Sequence, residues 1–106
     1  MNITEVQALC AEGRIIWTEH VEKRMAQRKI SRTDVKRCIM SGEIIEDYLD
    51  DYPYPSCLIF GYTEDEKNLH VVVSISDGIP RILNIITAYV PDESKFMPDM
   101  KTRRGK

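Results

Sequence analysis

His20, Arg24 and Arg28 recur at i, i+4 and i+8 within Thr18–Ile30, T-E-H-V-E-K-R-M-A-Q-R-K-I. At 3.6 residues per turn this spacing stacks an imidazole and two guanidiniums along one side of a helix, each about 40° from the last. Such a row has two readings. It is a solvated cationic face, the ordinary fate of a charge run, or it is an anion site with a titratable group at its edge, suited to a phosphodiester. The other histidine, His70, lies in L-H-V-V-V. Alternation puts it on one strand face with Val72 and Ser74, while Val71, Val73 and Ile75 take the other. Thr87 and Tyr89 share a face of a later strand. If the two strands are neighbours and the His20 helix lies along their edge, these side chains would converge. Beside that reading stands the plain one, in which His70 is a hydrogen-bonded structural residue and Thr87 and Tyr89 are ordinary strand formers.

A converged set would suit metal-free RNA cleavage. The 2′-hydroxyl must lose a proton as it attacks phosphorus, and the leaving 5′-oxygen must gain one. Two imidazoles can act as base and acid near neutral pH. Arginine adds planar, bidentate contacts to the phosphoryl oxygens, and Tyr89 could position or donate a proton. The chain has no D-x-D and no clustered carboxylates at strand ends, so a two-metal nuclease is not expected. Cys10, Cys38 and Cys57 are far apart, with no C-x-x-C pair, and the two histidines are fifty residues apart. No zinc spacing results, and neither metal nor cofactor is expected. The thiols are expected to be buried as small hydrophobes.

Three helices and four strands must position these groups. Ile3, Val6, Leu9 and Cys10 carry a helical period over Asn2–Glu12, with Gly13 as its C-terminal cap. Arg14–Trp17 is short and apolar, a link or a short strand, with Trp17 read as packing. A second helix is capped by Thr18 and ends near Lys29. S-R-T-D opens a third with a capping-box pattern, Asp34 serving as a cap, and Gly42 closes it. From Glu43 the period changes. Strands are expected at 43–49, 56–63, 69–76 and 81–90. Gly61 is read as a bulge, Asp77-Gly78 as a hairpin turn, and Ile82, Leu83, Ile85 and Ile86 as a run covered on both faces. The simplest arrangement is an α+β domain, two to three N-terminal helices packed on a four-stranded antiparallel sheet. One domain is expected over residues 1–100, with Phe96 pinning the chain back and a basic, mobile tail at 101–106.

The net charge of −2 conceals a division. Residues 14–37 hold eight basic and three acidic side chains, residues 43–66 eight acidic and no basic ones, and residues 95–106 five basic and one acidic. A polyanion would meet a local patch, not the average, which fits a small phosphate contact better than tight non-specific binding. No stretch approaches the roughly 20 apolar residues that cross a bilayer. No basic-apolar-small leader is seen, so a cytoplasmic protein without a membrane partner is expected.

The run from Thr18 to Val35, then G-E-I-I-E-D-Y, P-S-C-L-I-F-G, L-H-V-V-V and I-I-T-A-Y-V-P-D, resembles a family of small bacterial domains of unknown function (DUF4258-like). Its members are often encoded beside a zinc-finger antitoxin-like protein and are taken to be toxins of toxin–antitoxin pairs. The resemblance covers roughly residues 14–104. It implies a RelE/ParE-like fold and a metal-independent endoribonuclease acting on RNA, on or off the ribosome, with a cognate antitoxin as partner. On this resemblance the matching polar positions are His20, Arg24, Arg28, His70, Thr87 and Tyr89, with Arg103 in the tail as a further RNA contact. Two other readings stay open: a non-catalytic protein-binding module, ParE-like or part of an operon-regulating complex, and a structural domain whose charged helix is merely solvated.

Overall fold

A computed structural model describes residues 1–105; Lys106, the last residue of the expected tail, lies outside them. The elements follow the order α1 (Ile3–Ala11), β1 (Ile15–Trp17), α2 (Glu19–Gln27), α3 (Arg32–Ser41), β2 (Glu43–Tyr48), β3 (Ser56–Tyr62), β4 (Asn68–Ile75) and β5 (Leu83–Tyr89). Each helix starts where a side chain can take a free amide of its first turn. Asn2 accepts from the Thr4 N–H at 2.7 Å, and Thr18 from the Val21 N–H at 3.1 Å. Ser31 and Asp34 form a reciprocal capping box at 3.0 and 3.1 Å. After α1 the chain turns through Gly13 at φ +73°, a left-handed position that costs glycine no Cβ clash.

The sheet has five strands in the order β1-β5-β4-β3-β2. This corrects the expected four-stranded antiparallel sheet. β1 pairs in parallel with β5, Ile15 opposite Leu83 and Trp17 opposite Ile85, while the other pairings are antiparallel. Three residues are too few for a period to announce a strand, and a parallel partner some seventy residues away leaves no hairpin signal. The three helices cover one face. Val6, Val21, Met25, Val35, Cys38 and Ile39 pack there on Cys57, Ile59, Val71, Val73, Leu83 and Ile85.

Two local readings also change. Gly61 is not a bulge, since the β3–β4 register passes through Phe60↔His70 and Gly61↔Leu69 without a shift. The irregularities lie instead in β2, where Ile44 faces Ile59 but Glu46 faces Leu58, and in β5, where Val72 faces Thr87 but Val73 faces Ile85. Ile86 is the extra residue and is exposed, so the unbroken apolar run in β5 reflects a bulge and not cover on both faces.

The other sheet face is partly closed by the C-terminal segment. Asp92 to Arg104 folds back as a small hairpin, with Phe96 opposite Arg103 and the Met97 N–H donating to the Thr102 carbonyl at 2.7 Å. Phe96 is buried, as its reading as a pin implies. Lys101 and Arg103 were expected in a mobile tail, yet both reach carboxylates of β2: Lys101 pairs with Glu43 at 3.4 Å and Arg103 with Glu46 at 2.7 Å. Opposite charges 58 and 57 residues apart in the chain are invisible to a local reading. Among the described residues no helix is long and apolar enough to cross a membrane.

Candidate functional site

Tyr89 ends β5 on the face turned away from the helices, opposite His70 of β4. Thr87 lies on that face too, paired with Val72. The register therefore brings His70, Thr87 and Tyr89 to one side of the sheet. His70 is fully buried. Its Nε2 lies 2.7 Å from the Met100 carbonyl oxygen and its Nδ1 3.4 Å from the Tyr89 hydroxyl. A carbonyl can only accept, so the ring proton sits on Nε2, and Nδ1 is left to accept the Tyr89 O–H. Edge-on contacts to Phe96, Tyr89 and Phe60, with centroids 4.6, 5.3 and 6.0 Å away, close the ring in.

Burial is the main force on this imidazole and pushes its pKa below the ordinary value of 6.5, against the opposing pull of the Met100 carbonyl and the Glu46 carboxylate; nearby Arg103 adds to the lowering. A histidine held neutral in the native state stabilises it fully above the unfolded pKa. That contribution is lost as the pH falls through 6.5 towards the lower folded value, because the unfolded chain then binds the extra proton. Urea midpoints should therefore fall as the pH is lowered below about 6.5. The His70→Gln variant, which keeps a donor for Met100, should lack that slope. An identical slope in both proteins would assign it elsewhere.

Next to Tyr89 the surface opens into a hollow of about 470 Å³, lined by Arg28, Tyr89, Val90, Asp92, Lys95, Phe96 and Arg103. Arg28 caps the end of α2 and anchors to β5, its Nη1 donating to the Ala88 carbonyl at 2.9 Å and the Thr87 hydroxyl at 3.3 Å. β1 covers β5 only as far as Ile85, so the edge beyond is open to this guanidinium. Arg103 enters from the C-terminal hairpin, stacked 4.9 Å over Phe96 and bonded through Nε to Glu46. Burial would raise Glu46, but the hydrogen bonds from Arg103 and Tyr48 outweigh it and hold the carboxyl below its usual range. The same pairing holds Arg103 more firmly protonated than usual. Burial raises Tyr89, with Arg103 opposing, so it remains a neutral phenol at neutral pH. Asp92 accepts the Ser94 N–H at 2.8 Å, and that bond keeps its carboxyl low.

Three cations, a phenol and one carboxylate line this hollow, a composition that suits an anion. Of the residues singled out by spacing, Arg28 and Tyr89 meet here, joined by Arg103, which the family resemblance pointed to, and Thr87 supports Arg28. His70 stands behind Tyr89 and does not line the hollow. His20 and Arg24 are exposed on α2, about 12 and 6 Å along the axis from Arg28. They do not line it either, and the two imidazoles lie on different sides of the sheet. Lys95 was missed. It sits beyond the last strand, where no periodicity marks it, and only the basic count of residues 95–106 pointed to the region. Glu46 was missed because its partner is so remote in sequence.

The three buried cysteines are free thiols. Burial pushes Cys38 and Cys57 up to about 12, which leaves them unreactive at neutral pH. Among the described residues no group of three histidine, cysteine or acidic side chains could hold a metal ion.

Residues 17–90 match the family model described as a domain of unknown function, DUF4258. The matched span runs from the end of β1 to the residue after β5. It includes Arg28, His70 and Tyr89, while Lys95, Phe96 and Arg103 follow it. Neither curated proteins nor solved structures give a match to this chain.

Proposed function

We propose that this chain, which belongs to the DUF4258 family, is a toxin-type, metal-independent endoribonuclease whose phosphate seat is the Arg28–Lys95–Arg103 hollow. The observation that carries the reading is that those three cations and Tyr89 line one hollow, with a buried imidazole 3.4 Å behind the Tyr89 hydroxyl. In the proposed reaction the 2′-oxygen bonds to phosphorus as its proton passes to the Tyr89 oxygen, and the Tyr89 proton passes to His70 Nδ1. The bond from phosphorus to the 5′-oxygen breaks, and that oxygen takes a proton from the Lys95 ammonium. The products are a 2′,3′-cyclic phosphate and a 5′-hydroxyl end. Arg28 and Arg103 stabilise the extra charge on the pentacoordinate phosphorus. His20 and Arg24 continue the cationic row toward neighbouring phosphates. Three helices on one sheet face and the hollow beside the other are in keeping with a RelE/ParE-like toxin, and a zinc-finger antitoxin that covers the hollow would be its partner.

The test is RNA cleavage in EDTA with assay of the ends formed. Wild type should yield cyclic phosphate ends. Arg28→Ala and Tyr89→Phe should each lose about 100-fold in rate, the range for a phosphate clamp or a proton-transfer group. A loss of that size in His20→Ala, with Tyr89→Phe unaffected, would return proton transfer to the exposed imidazole. Intact RNA under all conditions, together with a stable protein partner, would establish the non-catalytic binding module instead.

A further inference from the structure

A second hollow, about 460 Å³, opens at the other end of β5, and the proposed activity leaves it unused. Its lining includes Thr18, Asp51, Tyr52, Tyr54, Ser76 and Asn84. Tyr52 is 95% exposed. It stands in Tyr52-Pro53-Tyr54-Pro55, where two prolines restrict the backbone and hold the rings out without support from a core. Such an aromatic face in water marks a place for a flat partner.

Besides hydroxyls, this hollow holds two acceptor groups, the Asp51 carboxylate and the Asn84 carbonyl oxygen. The Asn84 amide nitrogen donates to the hydroxyls of Ser76 at 2.9 Å and Ser74 at 3.3 Å, which turns its carbonyl oxygen the other way. One oxygen of Asp51 accepts the Ser56 hydroxyl through one of its two lone pairs, so both oxygens can still accept from a ligand. No basic side chain lines the hollow. It is therefore a poor place for a phosphate and a good one for a flat ring edged with N–H donors. Among the four RNA bases only guanine presents a ring N–H and an amino group side by side on its pairing edge, the bidentate match to a carboxylate.

Helix α2 spans the distance between the two hollows. Thr18 and Arg28, at either end of α2, line the second and the first, so the row His20, Arg24, Arg28 runs between them. On the sheet, Asn84 and Tyr89 are separated by roughly 15 Å of β5, with Thr87, which holds Arg28, in between. We infer that the Tyr52–Asp51–Asn84 hollow is a guanine subsite for a single-stranded RNA whose backbone follows α2 to the phosphate seat. This inference rests on the proposed RNA-directed function and adds its base preference.

Anisotropy of labelled hexanucleotides with uncleavable 2′-O-methyl sugars tests it, one sequence all uracil and one with a single guanine. The guanine oligomer should bind about tenfold more tightly. Asp51→Asn, which keeps an acceptor for Ser56, should abolish that preference without weakening the uracil oligomer. Tyr52→Ala, at a side chain too exposed to matter for folding, should weaken the guanine oligomer about tenfold. Arg28→Ala should weaken both oligomers alike. Equal binding of the two sequences with Arg28→Ala still damaging would overturn the subsite and leave the phosphate seat standing. A guanine preference that survives both Asp51→Asn and Tyr52→Ala would overturn it too. Failure of every oligomer to bind would remove the subsite together with the proposed function.

Discussion

Gly61→Ala should destabilise the protein by at least about 3 kcal/mol. A Cβ on residue 61 would stand 2.1 Å from the carbonyl oxygen of Cys38 and 2.8 Å from its carbonyl carbon. Both are backbone atoms of α3, so no rotamer change relieves the clash, and the helix must lift from the sheet. Lifting it uncovers Val35, Cys38 and Ile39, all completely buried. Overpacking costs about 1–3 kcal/mol where side chains can give way. With backbone against backbone, about 3 kcal/mol is a lower bound, a large part of the roughly 5–15 kcal/mol that holds a domain folded. At Gly42, which caps α3, a Cβ would stand 2.7 Å from the Phe60 carbonyl oxygen and the Ile59 side chain, so the helix end meets β3 at a second point where no side chain fits. Urea denaturation of Gly61→Ala checks this. A loss below about 1 kcal/mol would mean that α3 does not sit on β3 at this distance.

The second large effect is expected of His70→Ala. The substitution removes a ring packed on Phe96, Tyr89 and Phe60 and the hydrogen bond to Met100. Truncating a buried ring costs about 3–5 kcal/mol, and the Met100 carbonyl loses its donor. The damage should be directional. The C-terminal hairpin rests on His70 through Met100 and Phe96, and it brings Lys95 and Arg103 to the hollow. Limited proteolysis should therefore cut His70→Ala between residues 92 and 104 well before the helices are attacked, and the proposed RNA cleavage should fall along with hairpin protection. His70→Gln, able to donate to Met100, should recover much of the protection without restoring the proposed proton relay to Tyr89. A hairpin as resistant in His70→Ala as in wild type would show that the imidazole does not hold it.

His70 also marks the limit of what spacing can tell. Its face was legible, since alternation in L-H-V-V-V separates it from Val71 and Val73, and the structure keeps that division. What lies over that face was not. Burial of a polar ring depends on a carbonyl thirty residues later in the chain, and no local pattern encodes a partner at that range. The His20–Arg24–Arg28 row was likewise legible as a helix stripe. That only its last member joins Tyr89 follows from where β1 stops covering β5.

Taken alone, the chain determined what depends on neighbours a few residues apart: three capped helices, the positions of the four longer strands, the placing of acidic and basic segments, and the faces of α2 and β4. Tertiary structure decided what depends on encounters across the chain. It added β1 as a parallel fifth strand, fitted α3 against the bare backbone at Gly61, put a bulge at Ile86, and folded the C-terminal segment so that Lys95 and Arg103 meet Arg28. The physical reason is one of range. Helical and strand periods, caps and turns are local conformational preferences, whereas a hollow is made by surfaces that meet only after the core has closed.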